Sequence, residues 1–130
     1  MIKVDFTGNV VRDPILKYTS QGKAYTHFTC KVNVNKEKNI INWIDVVCFD
    51  QMAEYVASSL VNRVRVAVQG NLYLEESTGK DGTKYHNLRC LATDVAASLR
   101  YNNVKAEITE VKTDISDSSE IGEDLFDGNN

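Results

Sequence analysis

Asn42-Trp43-Ile44-Asp45-Val46-Val47-Cys48-Phe49, followed at once by Asp50 to Leu60, is the stretch on which the reading of this chain turns. Its period is two: Ile44, Val46 and Cys48 share one face, and Trp43, Asp45, Val47 and Phe49 share the other. The first is a core face. The second sets the only tryptophan and a phenylalanine on the outer side, roughly 20 Å apart along an extended strand. Two large rings so placed either lie beneath another sheet or subunit, or stack on flat ligands. Unpaired nucleic-acid bases are such ligands, because each presents a π-face to a ring.

From Asp50 the period changes. Met52, Val56, Ser59 and Leu60 fit one helical stripe, with Asp50 expected as N-cap and Asn62 as the left-handed closing residue. Upstream, a strand from Tyr25 turns Phe28, Cys30, Val32 and Val34 to one side and Thr29, Lys31, Asn33 and Asn35 to the other. Lys36 to Asn39 forms the hairpin loop between the two strands. Nearer the N-terminus, Ile2, Val4 and Phe6 alternate until Gly8 interrupts, which predicts a first strand with a kink or bulge before Val10-Val11. Asp13-Pro14 ends it, Ile15 to Tyr18 is short and extended, and Thr19 to Gly22 is a turn. Downstream, Val64, Val66 and Val68 lead to a bend at Gly70, after which Leu72 and Leu74 continue the inner face and Tyr73 the outer one. Ser77 to Thr83 is a hairpin loop with Lys80 and Lys84 at its far side, and a last strand, Tyr85 to Val95, alternates less cleanly.

Three strands, a short helix and two more strands predict an all-β fold, a five-stranded OB-fold Greek-key barrel with the helix between strands 3 and 4. Such barrels take oligonucleotides on the face of their second and third strands. Here those are the basic, polar strand (Lys31, Asn33) and the aromatic one (Trp43, Phe49), so two independent clues meet on one surface.

Charge divides the chain. Residues 1–105 carry 14 Lys and Arg against 10 Asp and Glu, whereas residues 106–130 carry one Lys against eight acids, within a total of −3. The expected organisation is a weakly basic domain over 1–105 and a disordered acidic tail over 106–130. No run approaches the roughly 18 apolar residues of a membrane span, and Met1 to Asp5 is no signal peptide, so no membrane partner and a cytoplasmic location are expected. Cys30, Cys48 and Cys90 are odd in number and far apart, each in a strand-like run, which favours buried reduced thiols over metal ligands. Neither His27 nor His86 has a catalytic motif around it, and no phosphate-cradling glycine loop occurs. No catalytic residue, metal or cofactor is expected.

The chain resembles the bacterial single-stranded DNA-binding proteins. The matching pieces are Gly8-Asn9, Arg12-Asp13-Pro14, Lys17-Tyr18-Thr19 with Gly22, Trp43 to Phe49, Ala53-Glu54, and Gln69-Gly70-Asn71-Leu72, in order over residues 1 to about 100. The resemblance implies passive, sequence-independent binding of single-stranded DNA in replication, recombination and repair, through a homotetramer or a dimer, in association with the nucleoid. Trp43 and Phe49 fall where the family carries base-stacking aromatics. Two further aromatic positions are occupied here by Lys36, suited to a phosphate, and by Ser77, for which Tyr73 in the same strand phase offers a ring. Phosphate contacts are expected from Lys31, Lys36, Arg65, Lys80 and Lys84. Asp45 stands between the rings where the family often has a basic or neutral residue, and Val61-Asn62 replaces the basic pair that commonly ends the helix. These departures predict weaker affinity or a smaller footprint.

The family's tail ends in an acidic, apolar tip that docks replication and repair proteins. Glu123, Asp124, Leu125 and Phe126 resemble it, without the proline and with four residues beyond. Two other readings stay open: an OB-fold protein-interaction subunit of a replication assembly, and an OB-fold that binds RNA, since stacking does not distinguish the sugars.

Overall fold

The two strands that flank the Lys36–Asn39 loop alternate most regularly, and they pair with each other in the sheet. In the computed structural model, which describes residues 1–108, they are β3 (Ala24–Asn35) and β4 (Ile40–Phe49). They pair antiparallel from Tyr25 opposite Phe49 to Asn35 opposite Ile40, with one irregularity between Asn33 and Asn35. Around them stand β1 (Ile2–Val11), β2 (Lys17–Tyr18), α1 (Asp50–Ser59), β5 (Arg65–Thr78) and β6 (Lys84–Ala97). The sheet runs β1-β5-β6-β4-β3-β2, and a further β1–β3 pairing closes five of these strands into a barrel. Every pair is antiparallel except β4 with β6. The expected five-stranded barrel is therefore present, with the Ile15–Tyr18 stretch contributing the extra two-residue strand.

Closure depends on β1 changing partner. Its residues Ile2 to Asn9 pair with β5, and Asn9 to Val11 pair with β3. Gly8 sits at this transfer, where a Cβ would meet the Lys31 carbonyl oxygen at 2.5 Å and the Cys30 sulfur at 2.7 Å. There is no bulge at Gly8: β1 is continuous and its register against β5 unbroken. What the glycine provides is close approach of two backbones. Gly70 acts similarly, and beside it β6 carries a bulge, since Gln69 faces Asp94 while Gly70 faces Ala92. One residue of β6 is consumed there, so Ala92 and Val95 both turn inward. This is why that strand alternates poorly in the sequence.

Val10, Phe28, Cys30, Ile44, Val46, Cys48, Val66, Val68 and Cys90 fill the barrel, and Ala53, Val56 and Leu60 close it from the helix side. Thr26, buried among them, donates its hydroxyl to the Ile15 carbonyl at 2.8 Å and ties the Pro14–Leu16 segment down. The helix departs from expectation at both ends. Asp50 is its first residue with φ of 59°, Phe49 is the cap with no side-chain hydrogen bond, and Asp50 instead lies 3.9 Å from Lys23 Nζ. At the other end Leu60 is the cap and Arg63, not Asn62, is left-handed, with φ of 81°. Asn62 is used otherwise: its side-chain oxygen accepts from the Arg12 amide at 2.9 Å, and its own amide donates to Asp13 at 2.7 Å. Ser59, Val34 and Leu74, read as inward, are exposed, the last two because β3 and β5 extend past the barrel.

All three cysteines are free and buried. Burial first, and proximity to Cys90 second, pushes the Cys30 and Cys48 thiols up to about 12, and burial raises Cys90 as well. They pack as small neutral hydrophobes with no thiolate at neutral pH.

Candidate nucleic-acid interface

The outward residues of β3 and β4 meet in cross-strand pairs: Tyr25 with Phe49, His27 with Val47, Thr29 with Asp45, and Lys31 with Trp43. The parallel neighbour β6 adds Arg89 beside Asp45 and Leu91 beside Val47, and β5 adds Tyr73 beside Arg89. Period-two backbone on four adjacent strands thus brings these side chains to one surface.

Its two ends differ. At one, Trp43 is 54% exposed and faces Lys31 across the ladder. At the other, Phe49 is half-buried, its ring tilted 38° against Tyr25 with centroids 6.4 Å apart and Lys23 Nζ 4.9 Å above it. An open groove of about 510 Å³ adjoins it, lined by Tyr25, Val47, Phe49, Tyr73, Arg89 and Leu91, with Thr19 at the edge. Flat rings around an open, largely apolar groove suit a planar ligand.

Between the ends lies an ionic strip. Asp45 accepts a hydrogen bond from Thr29 Oγ1 at 3.0 Å, and Arg89 Nε lies 2.6 Å from Glu75 Oε1. That approach is misaligned for a hydrogen bond, leaving the buried Nε without one, so the contact is an ion pair. The strip holds two carboxylates against one guanidinium, which makes the middle of the face less attractive to phosphate than its Lys31 end.

Lys36 and Arg65 lie elsewhere. With Lys31, Asn9, Asn33 and Tyr101 they line a second groove of about 390 Å³, where β1 passes from β5 to β3. Lys80 and Lys84 lie on the β5–β6 hairpin, outside both grooves. Its loop is held by Gly79 donating to the Thr83 carbonyl at 2.7 Å, and by the Thr83 amide donating to Asp81. The Thr83 amide and then its hydroxyl hold the Asp81 carboxyl below its ordinary value. Glu123, Asp124, Leu125 and Phe126 lie outside the described residues, as does the tail from residue 109.

Sequence reading missed Arg89, Leu91, Tyr25, Tyr85 and Tyr101 on or near these surfaces. Tyr85 is 51% exposed and directly opposite Ser77 in the β5–β6 ladder. The symmetry of the hairpin about its Gly79–Gly82 turn could have revealed this ring. Arg89 needed the phase of β6, which the bulge conceals.

Closed barrel, strand order, and an open ring-bearing face on β3 and β4 define an oligonucleotide/oligosaccharide-binding fold. Residues 1–98 match the model of the Single-strand binding protein family, and the chain belongs to that family. It is 30% identical over 111 residues to a single-stranded DNA-binding protein of Paenarthrobacter aurescens, covering 79% of this chain and 65% of that protein. It is 33% identical over 106 residues to one of Deinococcus radiodurans, covering 77% of this chain and 35% of that protein. The match thus spans less than two thirds of either relative. In fold the chain is similar to the small single-stranded DNA-binding protein of Streptomyces coelicolor, with a TM-score of 0.62 at 19% identity, over 75% of this chain and 94% of that one.

Proposed function

We propose that this protein binds and protects single-stranded DNA without sequence specificity, in replication, recombination and repair, and performs no catalysis. One observation carries the reading: an exposed Trp43 faces Lys31 at one end of an open barrel face whose other end is a ring-lined groove. Trp43, Phe49 and Tyr73 stack on bases, while Lys31, Lys36, Arg65, Lys80 and Lys84 meet phosphates. Family membership supports the choice of ligand.

The barrel domain takes residues 1–105, and 106–130 form an acidic tail that docks replication and repair proteins through Glu123, Asp124, Leu125 and Phe126. The protein works as a homotetramer or dimer, in the cytoplasm and at the nucleoid. Exposed apolar side chains at Ile2 and Leu74 support association, and no helix among the described residues is long and apolar enough to cross a membrane. Sedimentation of the full chain as a 14.6 kDa species alone contradicts the oligomer.

The lone tryptophan supplies the test of function. Oligothymidine at low salt quenches Trp43 fluorescence, with a site of roughly 4–16 nucleotides per barrel. Removing one phosphate-binding lysine lowers the slope of log affinity against log salt by roughly 0.7. A signal indifferent to DNA transfers the protein to the interaction-subunit reading, and a response to oligouridine alone transfers it to RNA.

A further inference from the structure

The second groove holds features that the aromatic face does not explain. Asn9 stands in register with both Lys31 and Arg65, at the transfer of β1 between its two partners. Lys31 on β3, Lys36 just past its end and Arg65 at the start of β5 therefore reach one groove, and no carboxylate is among the residues that line it. The opposite wall is not barrel at all. It is the chain that follows β6, with Tyr101 and Asn102.

This wall is fastened in place. The Ser98 amide donates to the Arg65 carbonyl at 2.8 Å, and the Arg65 guanidinium donates to Ser98 Oγ and to Thr7 Oγ1. The same guanidinium lies 5.1 Å from the centroid of the Tyr101 ring, and that of Arg100 lies 5.3 Å from it. A ring so placed is held by cation–π attraction, yet Tyr101 remains 65% exposed. The groove thus pairs an exposed aromatic surface with fixed cations, the combination that suits one base and the phosphates next to it. Lys31 joins the two surfaces, since it faces Trp43 across the β3–β4 ladder and also lines this groove.

We propose that the Ser98–Asn102 segment forms a second contact for a single-stranded polynucleotide, in which a base stacks on Tyr101 while Lys36 and Arg65 hold the adjoining phosphates. A strand leaving Trp43 crosses Lys31 and enters the groove between β1 and this segment. The inference rests on the aromatic face being a single-strand site and extends the path beyond it.

Oligothymidines of two lengths test it on the full chain, read through Trp43 fluorescence. A short one, of about 5 nucleotides, fills the Trp43 end alone, and a long one, of about 16, reaches both surfaces. Tyr101→Ala weakens the long oligonucleotide about tenfold, leaves the short one unchanged, and Tyr101→Phe restores the wild-type value. Lys36→Gln lowers the salt slope for the long oligonucleotide only. If Tyr101→Ala binds both lengths as wild type does, this inference is overturned and the aromatic face stands. If the substitution tightens both, the ring guards the groove against DNA and the inference is overturned as well. Wild-type fluorescence that answers neither length removes the single-strand site itself, and this second contact with it.

Discussion

Trp43→Ala and Phe49→Ala each weaken single-stranded DNA binding by about 1–3 kcal/mol, the usual worth of a base on a ring. That is roughly 5- to 150-fold in dissociation constant. The two rings stand six residues apart on β4 and share no partner, so the double substitution loses close to the sum. Their costs to the fold differ. Trp43 is more than half exposed, and its removal leaves stability within about 0.5 kcal/mol. Phe49 is half-buried against Tyr25 and under Lys23, so its removal also loosens that end of the face. Anisotropy of a labelled oligonucleotide reads the affinity where Trp43 is gone, and thermal melting reads the fold. A Trp43→Ala variant that melts far below wild type identifies the ring as packing, and one that binds like wild type removes it from the site.

Period-two alternation at Ile44, Val46 and Cys48 and at Phe28 and Cys30 made the core strands legible, because burial of one face leaves its pattern directly in the sequence. Strand order and the helix between β4 and β5 were legible for the same reason. The ends of elements were not. Asp50 has the chemistry of a cap, yet the turn out of β4 places it inside the first turn, beside Lys23. Asn62 has the tolerance for a left-handed residue, yet its side chain is engaged by the Arg12–Asp13 segment, far away in sequence. Long-range hydrogen bonds of this kind have no local signature. On the candidate face, Trp43, Phe49 and Tyr73 could be placed from strand phase alone. Arg89 and Leu91 could not, because the bulge beside Gly70 shifts the phase of β6, and Lys36 and Arg65 meet only through the closure of β1 onto β3.

That bulge is also where one methyl group has the largest effect on stability. Gly70→Ala destabilises the barrel by about 3 kcal/mol or more, at or beyond the upper end of ordinary overpacking. A Cβ there overlaps the Leu91 carbonyl oxygen and meets the Cys90 sulfur at 2.8 Å and the Ala92 Cα at 2.9 Å. Two of these are backbone atoms of the paired strand, which no rotamer change can move away. Relief requires β5 and β6 to part at the point where Gln69 and Gly70 step across the bulge. The midpoint of thermal unfolding should fall by roughly 10 °C or more for a domain of this size. Gly22→Ala provides the contrast. Gly22 has φ of +85° with nothing near its missing Cβ, so it carries only the left-handed penalty of about 1–2 kcal/mol. A larger loss at Gly70 than at Gly22 assigns the effect to crowding between strands. Because Leu91 and Arg89 follow the same strand outward, Gly70→Ala also displaces the floor of the ring-lined groove and weakens DNA binding even below its melting point. A Gly70→Ala protein that melts and binds like wild type means that β5 and β6 do not approach this closely, and the bulge then has no part in setting the face.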